Sequence, residues 1–308
     1  MKRGYCMEYL HNDKEQFREA IALTGYQTGV AAEIIEKDYY VTMILRALAE
    51  RLPFIVFKGG TSLSKCHKVI RRFSEDIDVS IDTSLSQSQK KKLKYALVEV
   101  VEAMGLEIPN LYDTRSRRDY NRYEIAYTSV SGANDETVKP TVLLETSYTA
   151  VSFPTVMLDV HNLIGDMMEV EAPEVIENYR LEPFQMKVQG LDRTLADKVF
   201  AVCDYYLQGK ERKHSRHLYD IYKLLPLVPQ DKDFKMLVNE VRKVRAESTI
   251  CPSAKSDVII TELLKEIVDK EIYKADYEAL TIRLLDDDVD YKTAISAIIQ
   301  IAETDIYA

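Results

Sequence analysis

The sequence predicts an α/β (α+β) fold: a mixed first lobe with a small mixed sheet, then a lobe made of helices alone. Up to about residue 190, short apolar runs of strand length alternate with helical patterns, and from about 191 every segment repeats its apolar residues at helical spacing. The stretch "FKGGTSLSKCHKVIRRFSEDIDVSI" (57–81) ties two strand candidates together through a glycine-rich turn. Two domains are therefore expected, 1–190 and 191–308.

Residues 13–25 and 28–51 read as helices; in "VAAEIIEKDYYVTMILRALAERL" Ile34, Ile35, Tyr39, Val41, Ile44, Leu45 and Leu48 recur at roughly helical spacing. Phe54-Ile55-Val56-Phe57 is apolar, β-branched and aromatic, the composition of a buried strand. Gly59-Gly60-Thr61-Ser62 then forms a turn whose backbone can come unusually close to another group. From Asp76 to Ile81 polar and apolar residues alternate. A strand over 77–81 thus aims the carboxylates of Asp76 and Asp78 at one face and the aliphatic side chains at the other. A helix at 87–104 and strands at 121–130, 141–148 and 155–160 complete the first lobe, with "SVSGANDETVKPT" as a hairpin loop. Helices are expected at 193–207, 214–226, 232–248, 255–273, 276–284 and 290–304. There is no internal repeat and no low-complexity segment.

Composition narrows the chemistry. With 308 residues, 46% of them hydrophobic, the chain has enough apolar material for one large domain or two modest ones. No run of about 18 apolar residues occurs and the first residues lack a signal-peptide pattern, so a soluble, cytoplasmic protein without membrane contact is expected. Cys6, Cys66, Cys203 and Cys251 are scattered without metal-ligand spacing, which predicts reduced thiols. A net charge of −9 argues against non-specific coating of nucleic acid, yet three basic runs stand out: Lys65-Lys68-Arg71-Arg72, Lys90-Lys91-Lys92-Lys94 and 210–217. Each taken alone reads as a solvated helix face or loop.

Two carboxylates at alternate strand positions lie about 7 Å apart along the chain and can hold one divalent cation or grip two. Mg²⁺ takes oxygen ligands, commonly one or two carboxylates together with substrate phosphates. The glycine turn offers backbone N–H groups and hydroxyls to the same phosphates. In-line displacement at phosphorus needs both parts, a metal for the charge and a donor-rich cradle for the triphosphate. Strand, Gly-Gly-Thr-Ser, helix and Asp-x-Asp within 25 residues is far more specific than either motif alone. The absence of Gly-Lys-Ser/Thr excludes a Walker A loop.

"KGGTSLSK…RRFSEDIDVSI" resembles the signature of the AbiEii/AbiGii-type nucleotidyltransferase toxins, within the DNA polymerase β-like nucleotidyltransferase superfamily. Upstream, "EIIEKDYYVTMILRALAE" resembles the family's leading helix; downstream, "LDRTLADKVFAVCDYYL" and "RKHSRHLYDIYKLL" resemble its later motifs. The resemblance covers about 30–225. It implies a polymerase β-like first lobe, a nucleoside triphosphate substrate, two Mg²⁺ ions, a cognate antitoxin from the same operon, and nucleotidyl transfer to an acceptor such as the tRNA 3′ end. Carried over by position, it implies that Gly59, Gly60, Thr61 and Ser62 hold phosphates and that Asp76 and Asp78 bind metal. Lys198 would contact the triphosphate, and Asp220 would be the later acidic residue needed for activity. The loop from Thr61 to Asp76 is long for the family.

A third carboxylate on a later strand is expected in such a site, to bind metal or help deprotonate the attacking hydroxyl. Glu145 interrupts the apolar strand "TVLLETSY" and is preferred over Glu124 and Asp159. Arg212, Lys213 and Arg216 in the third basic run are candidates for RNA contact, being close in sequence to Asp220. Blander readings stand beside these: Asp76 and Asp78 on the solvent face of an edge strand, Lys198 as an exposed helix charge, Asp220 paired with Arg216 one turn earlier. Arg72 either meets a phosphate or screens the carboxylates, and Glu75 flanks them. Asp286–Asp290 lacks the Gly and Glu of a calcium loop at Tyr291 and Ala297, so it ends one helix and caps the next. His67, His214 and His217 show no metal spacing. Competing functions are nucleotidyl transfer to a protein or small molecule, and a catalytically idle nucleotide- or partner-binding module.

Overall fold

A computed structural model describes residues 9–74, 76–116, 118–132 and 138–307, with the backbone alone at 149–150 and 170–171. The described residues form two compact units. Unit 1 draws on Met1–Phe57, Glu75–Tyr148 and Met157–Val188, and unit 2 on Lys58–Ser74, Thr149–Val156 and Gln189–Ala308.

The sheet contains β1 (Ile55–Lys58), β2 (Ile77–Ile81), β3 (Tyr120–Ala126), β4 (Thr141–Val151), β5 (Thr155–Val160) and β6 (Phe184–Gln189), in the order β3-β4-β2-β1-β6-β5. β1 and β6 are parallel, with Phe57 opposite Val188; β3 and β4 are antiparallel, with Arg122 opposite Glu145. The sheet is thus mixed, as the sequence predicts. β2 is an interior strand, which is why Ser80 is buried along with Ile77, Val79 and Ile81. The edge-strand reading of Asp78 is thereby corrected.

Helices α1 (Lys14–Thr28), α2 (Ala32–Arg51) and α4 (Gln87–Ala103) supply the apolar stripes that unit 1 buries, among them Ile35, Tyr39 and Ile44 of α2 and Leu93, Leu97 and Val101 of α4. The second helix starts later than expected. Gly29 adopts the left-handed conformation (φ 72°) and closes α1 by donating its N–H to Gly25 O. The strand expected at 121–130 stops at Ala126 because the chain beyond is held by a side chain: Val130 N–H donates to Glu36 Oε1 at 2.7 Å. Residues 133–137 of the expected hairpin loop lie outside the described residues, as do Cys6 and Glu75. Three elements occupy positions where the sequence pattern predicts none: α5 (Leu163–Glu171), capped by the Asn162 side chain, α6 (Pro173–Tyr179), and β6. β6 carries Gln185, Lys187 and Gln189 between its apolar residues, which blurs a strand that parallel pairing with β1 secures.

Unit 2 holds α3 (Gly59–Lys65), α7 (Leu191–Leu207), α8 (Arg216–Leu224), α9 (Lys232–Ala246), α10 (Ile260–Asp269), α11 (Lys274–Asp276) and α12 (Tyr291–Ala302). Its core joins Leu195, Val199 and Val202 of α7 to Leu218 and Ile221 of α8, and to Leu264 and Ile298 beyond. Leu63 and Ile70 are buried in that same core, which explains why residues 58–74 group with the C-terminal helices. The helix expected over 255–273 is confined to 260–269. Before it, the Arg242 guanidinium takes the carbonyls of Ala254, Lys255 and Val258, which no longer accept from a helix. The stretch 276–284 is a π-turn followed by a 3₁₀ turn rather than one helix; Asp276 caps the start of α8, and Thr281 bonds Ser215 at 2.7 Å.

The acidic run at 286–290 is structural. Asp287 accepts from Tyr219 and Lys223, and Asp290 caps α12 through Thr293 N–H. Cys66, Cys203 and Cys251 form no disulfide. No described helix is long and apolar enough to cross a membrane.

Leu195 is fully buried, so Leu195→Ala is expected to cost about 2–5 kcal/mol. Met236, 59% exposed, is expected to stay within about 0.5 kcal/mol on the same substitution. Urea unfolding of the two variants against the parent checks both values.

Candidate active site

In unit 1 the register of the sheet places the acidic candidates. Asp78 lies on β2, flanked by β1 and by β4, which carries Glu145. Glu145 lies opposite Arg122 on β3, and Tyr120 stands two residues away on the same strand. The Tyr120 phenol is pushed well above its ordinary value, first by burial, then by the charge of Glu145 and its hydrogen bond, with Asp78 adding and Arg122 opposing. Asp78 and Glu145 therefore act on one phenol, and the field there is negative. The rival Glu124 lies on β3 opposite Leu143. Asp159 lies on β5, three strands from β2, about 14 Å by strand spacing. Asp76 immediately precedes β2.

Among the described residues, no group of three or more His, Cys, Asp or Glu is arranged to hold a metal ion. Asp76 and Asp78 still offer the hard carboxylate oxygens that Mg²⁺ takes when substrate phosphates and water complete its shell. The donor set fits that ion and not a softer one, since neither His nor Cys stands beside it in sequence.

In unit 2 the glycine motif is the first turn of α3 rather than a separate turn. Gly59 has φ 79°, a conformation that L side chains rarely adopt, and it turns the chain from strand to helix. Gly60 is needed for a different reason. A Cβ there would collide with the guanidinium of Arg72 and lie 2.9 Å from Ser74 Oγ. Thr61 bonds Ser74 at 2.9 Å, and Ser62, fully buried, donates to Gly59 O at 2.9 Å. Both hydroxyls are engaged within the unit. The backbone N–H groups opening α3 have no side-chain cap.

Arg72 cannot give way to a Cβ at Gly60, because it is clamped. Its Nε and Nη2 donate to the two oxygens of Asp220 at 2.7 and 2.8 Å, and Nη1 donates to Phe73 O at 3.0 Å. Lys198 Nζ donates to Asp220 Oδ2 at 2.6 Å. Asp220 is thus paired with Arg72 and Lys198, and not with Arg216. Burial pushes the Asp220 carboxyl up, but the Arg72 and Lys198 charges outweigh it and hold the group far below the usual carboxylate range. Burial pushes Lys198 down, opposed by Asp220; burial and the nearby Lys198 charge hold His217 well below its ordinary value. The segment carrying Arg72 is strapped in place: Arg71 N–H donates to Tyr219 Oη at 2.9 Å, and Phe73 N–H to Leu284 O at 3.0 Å.

The structure therefore brings Gly60, Arg72, Lys198 and Asp220 together in unit 2, and in unit 1 it sets Asp78 and Glu145 on neighbouring strands, β2 and β4. Arg212 and Lys213 are exposed, and Lys213 N–H donates to Asp276. The site residues that sequence reasoning left out are Ser74, Tyr120 and Arg122. Ser74 follows Arg72 by two positions, yet no spacing in the sequence links it to Thr61.

A family model described as "Nucleotidyl transferase AbiEii toxin, Type IV TA system" matches residues 44–300, a span that holds every candidate above. The structure is similar to MenT4, a nucleotidyltransferase toxin from Mycobacterium tuberculosis H37Rv. The TM-score is 0.57 at 18% identity, over 92% of this chain and 88% of that one, a likeness of fold. No curated protein matches the chain.

Replacing Asp220 by Ala would leave two cations buried without a counter-ion, a loss of about 3–5 kcal/mol. A carboxyl held low in the folded state contributes stability that is complete above its unfolded value of about 3.9 and is lost as pH falls from there toward the folded value. In melting curves from pH 7 to pH 2, the gap between the parent and Asp220→Ala should therefore be constant down to about pH 4, narrow below that, and still be open at pH 2, which lies above the folded value. A gap that stays constant across that range would reject the ion cluster.

Proposed function

This chain belongs to the AbiEii family of nucleotidyltransferase toxins of type IV toxin–antitoxin systems, and from that premise we propose that it transfers a nucleoside monophosphate from a triphosphate to the 3′ end of RNA, tRNA foremost, with Mg²⁺ and in the cytoplasm. The family supplies the triphosphate substrate and a cognate antitoxin. The observation that carries the reading is the cluster beside Gly60: Arg72 and Lys198 share one carboxylate, so a cationic charge remains in surplus where the backbone has no side chain. A polyphosphate is the substrate group that such a surplus binds.

In this reading the backbone N–H groups that open α3 hold the phosphates, since the hydroxyls of Thr61 and Ser62 already have partners. Lys198 contacts the triphosphate, and Asp220 holds Lys198 and Arg72 in place. Asp76 and Asp78 would hold the metal, with Glu145 beside Asp78. When bound, Mg²⁺ supplies charge neutralisation at the reacting phosphate and lowers the pKa of the attacking hydroxyl. The acceptor oxygen attacks the α-phosphorus, the bond to the bridging α–β oxygen breaks, pyrophosphate leaves, and Glu145 accepts the hydroxyl proton. Residues 191–308 thus contribute Lys198 and Asp220 to the chemistry, and Arg212, Lys213 and Arg216 contribute RNA contact.

Incubation with each α-³²P-labelled triphosphate, Mg²⁺ and total cellular RNA tests the proposal. Label is expected on tRNA-sized RNA from one triphosphate, absent with EDTA, and lowered at least about a hundred-fold by Asp78→Ala. Label on protein would reject the RNA acceptor. Charge reversal at Arg212, Lys213 and Arg216 is expected to reduce RNA labelling; undiminished labelling would remove those residues from the proposal.

A further inference from the structure

Unit 1 carries a cationic, tyrosine-bearing surface that the proposed chemistry leaves unused. On α4, Lys90, Lys91 and Lys94 and the ring of Tyr95 share one side of the helix, the side next to the buried stripe of Leu93 and Leu97, and exposed Lys92 lies about 100° further round from Lys91. Lys91 lies over the Tyr95 ring, 5.7 Å from its centroid, and Lys94 donates to Thr114 O at 2.9 Å. That bond joins the helix to a second cationic segment, 111–122, whose Arg115 and Arg118 are exposed. Lys90 is paired with Asp119. In 90–95 and 111–122 together the sequence holds eight Lys and Arg against Asp113 and Asp119, within a chain of net charge −9. One of the eight, Arg117, lies outside the described residues.

The segment is built to present these groups. Buried Asn121 accepts from Arg115 N–H at 2.8 Å and donates to Arg115 O at 3.0 Å, which fixes the loop from both sides of that residue. Three aromatic rings stand among the cations: Tyr112 is 88% exposed, Tyr95 56% and Tyr120 47%. Tyr120 and Arg122 both lie on β3, where Arg122 is the cross-strand neighbour of Glu145. The cationic segment thus leads along the chain into β3, the strand that pairs with the one carrying Glu145.

We propose that this surface is the docking site for the acceptor RNA: Lys91, Lys92, Arg115 and Arg118 meet its phosphates, and unpaired bases near its 3′ end stack on Tyr112 and Tyr120. This deepens the RNA-acceptor reading and rests on it. Exposed rings set among cations favour single-stranded nucleic acid over an acidic protein, because bases have faces to stack and carboxylates do not. The strand β3 then leads the bound RNA toward Glu145.

The test is binding of a fluorescent tRNA transcript to the full chain, followed by anisotropy between about 50 and 200 mM salt without triphosphate or metal, so that catalysis plays no part. Lys91→Glu/Lys92→Glu/Arg118→Glu is expected to weaken binding at least about ten-fold and to lower the slope of log K against log salt by about 2–3. Tyr112→Ala is expected to weaken binding about five-fold or more with the slope unchanged. All three lysine and arginine positions are at the surface; Lys92→Ala and Arg118→Ala singly replace the triple variant should its melting temperature fall. Unchanged binding by the α4 variant, with loss in Arg212→Glu/Lys213→Glu/Arg216→Glu, overturns this site and leaves the RNA acceptor standing. A lowered slope with no effect of Tyr112→Ala or Tyr120→Ala also overturns it, in favour of an acidic protein partner. A parent chain that binds no RNA removes the acceptor reading itself.

Discussion

Unit 2 depends on one constraint, the need to compensate a carboxylate with no exposure to water. Asp220 is fully buried, and isolating an ion in that environment costs several kcal/mol unless its oxygens are filled. Arg72 fills both in a fork, and Lys198 takes one of them a second time. Three elements are thereby committed to one point: the segment after α3, the middle of α7 and the middle of α8. Because Arg72 is held so firmly, the backbone beside it must be free of a side chain, and Gly60 follows. The backbone of 71–73 is in turn tied to Tyr219, 148 positions later, and to 284–286, so the placement of a cation named early in the sequence is fixed by residues far along the chain.

On the proposed function, the same cluster would reconcile two roles that compete for Lys198, the partner of Asp220 and a phosphate contact. A lysine that meets phosphate must be ordered, yet a solvated lysine has about 2 kcal/mol of rotamer freedom to lose. Burial beside Asp220 removes that freedom before any substrate arrives, which is the preorganisation that electrostatic catalysis needs. Asp220 is on this account a positioning residue. Its low pKa keeps it ionised over the whole physiological range, so the cluster is not a pH switch.

Unit 1 meets a different situation, carboxylates on neighbouring strands of a mixed sheet. Interior placement of β2 surrounds Asp78 with strands on both sides, and antiparallel pairing of β3 with β4 sets Arg122 against Glu145. The arginine offsets part of the acidic field there. A protein of net charge −9 that keeps its cations local, as on α4 and 111–122, would bind a chosen polyanion there without general affinity for nucleic acid.

Much of this was legible in the residues themselves. The apolar run before Gly59, the alternation from Asp76 to Ile81, and the switch to helices after 191 follow from local periodicity, and periodicity is a property of neighbours in the chain. Strand geometry alone suggested one face for Asp76 and Asp78, of which the strand itself holds Asp78. The tertiary structure alone decided what those residues meet. Nothing in the spacing of Arg72, Lys198 and Asp220 tells that a buried ion cluster unites them, since their separation is 22 to 148 positions. The strand β6 was hidden for the same reason: its polar residues weaken the local pattern, and pairing with β1 supplies what the pattern lacks. Local sequence set the conformations, and long-range burial, which no window along the chain can sample, chose the partners.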